Sequence, residues 1–118
     1  MHTSVYENMS NPEKEVCAHL RQLNLWWHYE QPVFVYDHME RPRVWTPDFY
    51  IPELGIYIEV VGHRHNSDYD FRKRIYDLNR IPIIFLDMQQ DNWQRLLAES
   101  MHRIHQHRWE RIKQSVLK

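Results

Sequence analysis

The sequence predicts an α/β domain with a mixed central sheet flanked by helices. Its elements run helix, three strands, helix, strand, with an additional C-terminal helix. Three observations predict this. Amphipathic helical patterns bracket a β-branched and aromatic stretch between residues 26 and 61. A Pro-Glu-Leu-Gly turn at 52–55 separates two apolar runs, as a hairpin requires. The run Ile81 to Leu86 is continuously apolar, which suits a strand buried on both faces.

Ser10-Asn11-Pro12-Glu13 reads as a helix start, with a cap residue, proline in the first turn and an acid near the positive end of the helix dipole. Val16, Leu20 and Leu23 then recur at i, i+4 and i+7, giving a buried face that ends near Asn24. Trp26 to Tyr36 is predicted as a strand bent at Pro32, Asp37 to Pro42 as a loop, and Val44 to Ile51 with Ile56 to Val61 as a hairpin. Ser67 or Asp68 caps a second helix running to about Asn79, with Phe71, Ile75 and Leu78 as its core face. Asp91 is predicted to cap a last helix that carries Trp93, Leu96, Leu97 and Ile104 and reaches about Val116.

At 118 residues the chain is expected to form one domain around one core. No apolar run approaches the roughly 20 residues of a membrane span, and Met1-His2-Thr3-Ser4 lacks the pattern of a secretory leader, so a cytoplasmic protein is expected. The single Cys17 excludes an internal disulfide and a Cys-rich zinc knuckle, and it is expected to pack in a helix. The net charge of -1 argues against a protein that coats nucleic acid nonspecifically. Its distribution is uneven, however. Residues 1 to 60 hold nine acids against four Lys or Arg, and residues 61 to 118 hold seven against eleven, a division that suits an enzyme gripping a polyanion through a cation.

The densest chemistry lies in Thr46-Pro47-Asp48-Phe49 and Ile56-Tyr57-Ile58-Glu59-Val60-Val61-Gly62. The predicted hairpin sets Asp48 and Glu59 at comparable depth on adjacent antiparallel strands, where their carboxylates can converge on one divalent cation. An acid inside so apolar a strand is costly unless a cation or a hydrogen-bond network receives it. The competing reading of Asp48 is a turn or capping residue beside proline. The carbonyl of Val60 is a candidate to complete an octahedral Mg2+ or Mn2+ site with waters.

This spacing resembles the PD-(D/E)XK signature of the restriction-endonuclease-like superfamily, and the element order is similar to its αβββαβ core. The segments from about Asn11 to Leu86 look like small nucleases related to very-short-patch-repair endonucleases. The resemblance rests on Glu15 with Leu20-Arg21, Tyr29-Glu30-Gln31-Pro32, Asp48-Phe49, Glu59-Val60-Val61-Gly62-His63-Arg64-His65 and Tyr69-Asp70-Phe71-Arg72. It implies a DNA endonuclease in which Asp48 and Glu59 hold the metal, Glu15 and Gln31 assist, and His65 with Arg72 polarise phosphate or water. The superfamily's usual lysine, two residues after the second acid, is replaced by Val61. Its stand-in is expected to be Arg72, His65 or Lys73.

Arg64, Lys73, Arg103, Arg108 and Arg111 are expected to contact DNA backbone. His102, His105 and His107 invite a zinc reading, since i and i+3 share a helix face, but with no fourth ligand of matching kind a basic solvated face is the better reading. Trp26, Trp27 and Trp45 are candidates for base stacking, against the plainer reading of packing. From other classes, the alternatives are a catalytically silent DNA-binding or assembly module, favoured by Val61, and a nuclease subunit of a larger repair or transposition complex. The resemblance leaves the assembly open between a homodimer, which suits cutting both strands, a larger nuclease complex, and a nickase working alone.

Overall fold

The computed structural model describes residues 5–61 and 67–117. A short 3-10 helix at Val5–Asn8 precedes α1 (Asn11–Gln22), β1 (His28–Tyr29), β2 (Val33–Tyr36), β3 (Pro42–Trp45), β4 (Phe49–Ile51), β5 (Ile56–Val61), α2 (Ser67–Leu78), β6 (Ile83–Asp87) and α3 (Trp93–Val116). The molecule is a mixed α/β structure with a four-stranded sheet in the order β1-β4-β5-β6. β4 pairs antiparallel with both β1 and β5, and β6 pairs parallel to β5. β2 and β3 form a separate antiparallel ribbon.

The predicted strand over 26–36 is therefore two strands in different sheets. Glu30 adopts a positive φ of 58°, and Pro32 lacks an N–H for the ladder. The predicted strand over 44–51 breaks likewise between Trp45 and Phe49, at the buried Pro47. The Glu30 N–H donates to the Asp48 carbonyl at 2.8 Å, closing the β1–β4 ladder where both segments turn away into the ribbon. Asp48 thus stands at the sheet's end, where a side chain is reachable from outside.

α1 begins with a capping box: the Ser10 hydroxyl accepts from the Glu13 N–H, and Glu13 Oε1 accepts from the Ser10 N–H at 2.8 Å. Such an N-cap stabilises a helix by about 1 kcal/mol. Val16, Cys17 and Leu20 are buried, whereas Leu23 is the C-cap residue and is exposed. Burial, with Glu13's charge second, pushes the Cys17 thiol up to about 12, so it packs as an apolar group against Met9.

Alternation along β5 divides the core. Ile56 and Ile58 join α1, Leu97 of α3, Ile84 and Leu86 on one face. Tyr57 packs on the other, with Val35 of the ribbon, Ile75 and Tyr76 of α2, and Ile83. β6 is buried on both faces, as its apolar run predicts. The core face of α2 is rotated from the expected one: Ile75 and Tyr76 are buried, while Phe71 and Leu78 are exposed. The Tyr76 ring fills the space between Trp45 and Phe85, and that choice turns Arg72, one helical turn earlier, toward the sheet. The N-cap of α3 is Asn92, which makes no side-chain cap bond, rather than the predicted Asp91. Among the described residues no helix is long and apolar enough to cross a membrane.

Candidate functional site

Hairpin register brings the two acids together. Phe49 is opposite Ile58, so the preceding Asp48 lies beside Glu59. The Asp48 N–H donates to Glu59 Oε1 at 3.2 Å, and the Val60 N–H donates to Asp48 Oδ2 at 2.7 Å. Both carboxylates are thus aimed by backbone as well as by side-chain rotamer. Glu59 is only 8% exposed and is the one charged residue among the described residues classed with the buried core. Its Oε2 lies 2.9 Å from Arg72 Nη2, and the Arg72 guanidinium sits 5.9 Å from the centre of the Trp45 ring.

One guanidinium does not balance this charge. Burial, then the charge of Glu59, pushes Asp48 up to about 7, although the Val60 N–H works the other way. Burial also raises Glu59, and this outweighs the lowering by Arg72. A third carboxylate, Glu13, adds to the rise at Asp48 through its charge and a hydrogen bond. Glu13 is fixed at the site by its capping role and by the Tyr29 hydroxyl, which is 3.3 Å from both of its carboxylate oxygens. Tyr29's own phenol is pushed up by burial and next by Glu13.

The Tyr76 hydroxyl completes the site. It is fully buried and, among the described residues, makes no hydrogen bond of good geometry, although the Arg72 guanidinium lies close enough to favour its ionised form by charge and by a weak hydrogen bond. Burial pushes it up to about 12, and it lies within electrostatic reach of Arg72, Glu59 and Asp48. A buried hydroxyl of this kind calls for a water or a ligand oxygen. A groove of about 500 Å³, walled by Val44, Trp45, Thr46, Asp68, Phe71 and Arg72, opens beside it.

Comparisons with protein-family models, with curated proteins and with solved structures found no match.

A divalent cation fits the charge of this site: two adjoining carboxylates are raised by burial, and the buried Tyr76 hydroxyl stands nearby with no well-formed hydrogen bond. Among the described residues, however, no three His, Cys, Asp or Glu side chains form a ready ligand set, and Arg72 already satisfies one oxygen of Glu59. Asp48, Glu59 and the backbone of Val60 are the groups on hand.

The other predicted residues are placed as follows. Glu15 faces solvent, and the acid that α1 brings to the site is Glu13, two residues earlier and so on another side of the helix. Gln31 is exposed on the loop between β1 and β2. His63, Arg64 and His65 lie outside the described residues. Lys73 is exposed and 3.6 Å from Asp77 on its own helix. Arg108 turns inward, its guanidinium donating to the carbonyls of Leu54 and, at 2.6 Å, of Gly55. The turn it clasps needs glycine, since Gly55 has a φ of 62°. Arg103 and Arg111 line a groove of about 670 Å³ between the end of α2 and α3, together with Arg80 and His107.

Glu13, Tyr76 and Arg80 were not singled out by sequence. Glu13 has a complete explanation as a cap, and Tyr76 falls outside the Phe71, Ile75 and Leu78 face predicted for its helix. The signal available for Tyr76 was its i+4 relation to Arg72.

Proposed function

We propose that this chain is a metal-dependent DNA endonuclease of the restriction-endonuclease-like fold, akin to small nucleases related to very-short-patch-repair endonucleases, using Mg2+ or Mn2+. The observation that carries the reading is the Asp48–Glu59 pair: a half-buried carboxylate at the start of β4 beside a buried one on β5, oriented by backbone N–H groups and short of positive charge. Such a pair has no structural need that an apolar or amide pair would not meet at lower cost.

The cation would orient the attacking water and offset charge on the scissile phosphate. Asp48 and Glu59 would hold it, with the Val60 carbonyl as a further ligand. Arg72 orients Glu59 and favours its ionised form against the effect of burial, and it lines the groove where a phosphate oxygen would lie. The buried Tyr76 hydroxyl donates to that oxygen or to water. In this arrangement Arg72 stands in for the cationic side chain that Val61 does not supply.

A second reading, a catalytically silent DNA-binding or assembly module of the same fold, is favoured by the Arg72–Glu59 ion pair, since an internal guanidinium can replace a metal's charge outright. Incubation of supercoiled plasmid, linear duplex and single-stranded DNA with Mg2+, Mn2+ or EDTA separates the two. Cleavage in metal but not in EDTA, lost in Asp48→Asn and Glu59→Gln, is the expected result. Binding without cleavage under every condition would establish the silent module.

A further inference from the structure

A row of aromatic rings lies beside the acids on the same face of the sheet. His28 is paired opposite Tyr50, and Tyr50 opposite Tyr57. Their rings form a column across three strands: His28 and Tyr50 stack at 6.5 Å between centroids with an 18° tilt, and Tyr50 and Tyr57 lie 4.5 Å apart. Tyr50 is two residues from Asp48 and Tyr57 two from Glu59, so the two rows share a face and are separated by roughly 6.7 Å, two strand residues. The same distance is about one nucleotide step along an extended strand.

The column is open at one end. β1 is the edge strand, and His28 is exposed. There it meets a pocket of about 620 Å³ whose wall also includes Tyr6, Arg21, Trp26 and Tyr29. Its volume is in the range of roughly 300–1,000 Å³ usual for small-molecule sites. Trp26 is 75% exposed, a large aromatic surface left in water. Arg21 sets a guanidinium at the rim, where it donates to the Tyr6 hydroxyl at 3.0 Å. Tyr29 belongs to both places, since it lines the pocket and its hydroxyl bonds Glu13 beside Asp48.

We propose that this edge pocket receives an unpaired nucleobase adjoining the scissile phosphate, stacked on His28 at the open end of the ring column and covered by Trp26, with Arg21 on the neighbouring phosphate. The inference rests on the nuclease reading for its substrate class and adds that the strand must present a base out of its duplex. Flat rings with a cation at the rim suit a planar, aromatic ligand carrying an anion, which is a nucleotide. A base stacked inside a duplex offers neither face to such a site.

Binding measured in EDTA separates this idea from cleavage. The probe is a 12-nucleotide single strand with a central 2-aminopurine, alongside the same strand in duplex and free 2-aminopurine nucleotide. Wild-type protein and Asp48→Asn are both expected to quench the single strand's fluorescence and bind it more tightly than either control. His28→Ala and Trp26→Ala should each weaken binding about tenfold, within the range for base stacking on aromatic side chains. His28→Phe should restore the affinity, which a role in folding through imidazole polarity would not allow. Equal quenching of duplex and single strand overturns the proposal, as does unchanged affinity in both alanine variants. Free nucleotide binding as tightly as the strand would make the pocket a mononucleotide site and overturn it too. Metal-dependent cleavage without quenching would remove this inference and leave the nuclease reading standing; quenching without cleavage would leave a base-binding pocket and remove the nuclease reading, and with it the scissile phosphate the base was to adjoin.

Discussion

Arg72 Nη2 reaches Glu59 Oε2 at 2.9 Å, joining the helix that follows the hairpin to the acid buried in it. The Arg72 side chain is 31% exposed, that of Glu59 10%. The contact therefore places a cation's charge at the acid pair from within the chain, and the consequences of removing it depend on which partner goes.

Arg72→Met leaves Glu59 buried without its counter-charge. Breaking a buried pair from one side costs about 3–5 kcal/mol, and Arg72's partial exposure puts the expectation at the low end. Chemical denaturation should register the loss. Removing both charges in Arg72→Met with Glu59→Gln should recover most of it, and a double variant as unstable as the single one would show that Arg72 acts through packing on Trp45.

Stability should also depend on pH in a particular direction. Asp48, raised to about 7 in the fold, binds a proton more readily folded than unfolded. Its contribution is therefore greatest below the ordinary carboxylate range and disappears as pH rises through about 7. In EDTA the melting temperature of the wild type should fall relative to Asp48→Asn between pH 5 and 8, by at least several degrees, since 1 kcal/mol moves a small domain by roughly 4–8 °C. Parallel curves for the two proteins would contradict this account of Asp48.

Cations should reverse that loss. Protons and Mn2+ compete for the same carboxylates, so added Mn2+ should raise the melting temperature more at pH 8 than at pH 5.5. Asp48→Asn should abolish the difference. An equal rise at both pH values would place the ion elsewhere.

The basic residues of α3 should separate into two kinds. Arg108 holds the β4–β5 turn through two carbonyls, and Arg108→Ala is expected to destabilise the fold by about 1.5–3 kcal/mol, the worth of hydrogen bonds to a charged group, without altering the salt dependence of DNA binding. Arg103 and Arg111 of α3, with Arg80 from the turn after α2, line a common groove that Arg108 also borders, though Arg108's guanidinium is engaged by the turn carbonyls. Replacing Arg80, Arg103 and Arg111 with Gln should weaken binding to every DNA sequence alike and flatten the salt slope. Filter binding across a salt series reads both quantities.

The mixed α/β character, the hairpin around Pro52 to Gly55 and the neighbouring positions of Asp48 and Glu59 were legible because each depends on local pattern: alternation, a turn, a fixed spacing. The ribbon of β2 and β3 was not. Its aromatic and β-branched composition continues that of the flanking strands, so only Glu30's positive φ and the two prolines mark where the chain changes sheets. The face of α2 was misread because a hydrophobic count favours Phe71 and Leu78, whereas the ion pair and the bulk of Tyr76 decide the rotation. Glu13 illustrates a different obstacle: one residue serves as cap and as site acid, and a pattern explained by the first role gives no hint of the second.

The site described above is drawn from α1, the β4–β5 hairpin and α2, and none of these can assemble it alone. The hairpin forms through contacts close in sequence, but Glu13 and Arg72 reach it only when the first helix and the crossover helix have docked on opposite sides of the sheet. Such long-range closures come late in folding, after the loop entropy has been met. A nascent or partly unfolded chain would thus carry the two acids without the groups that orient and balance them. On the proposed reading, hydrolytic competence would then belong to the completed fold alone.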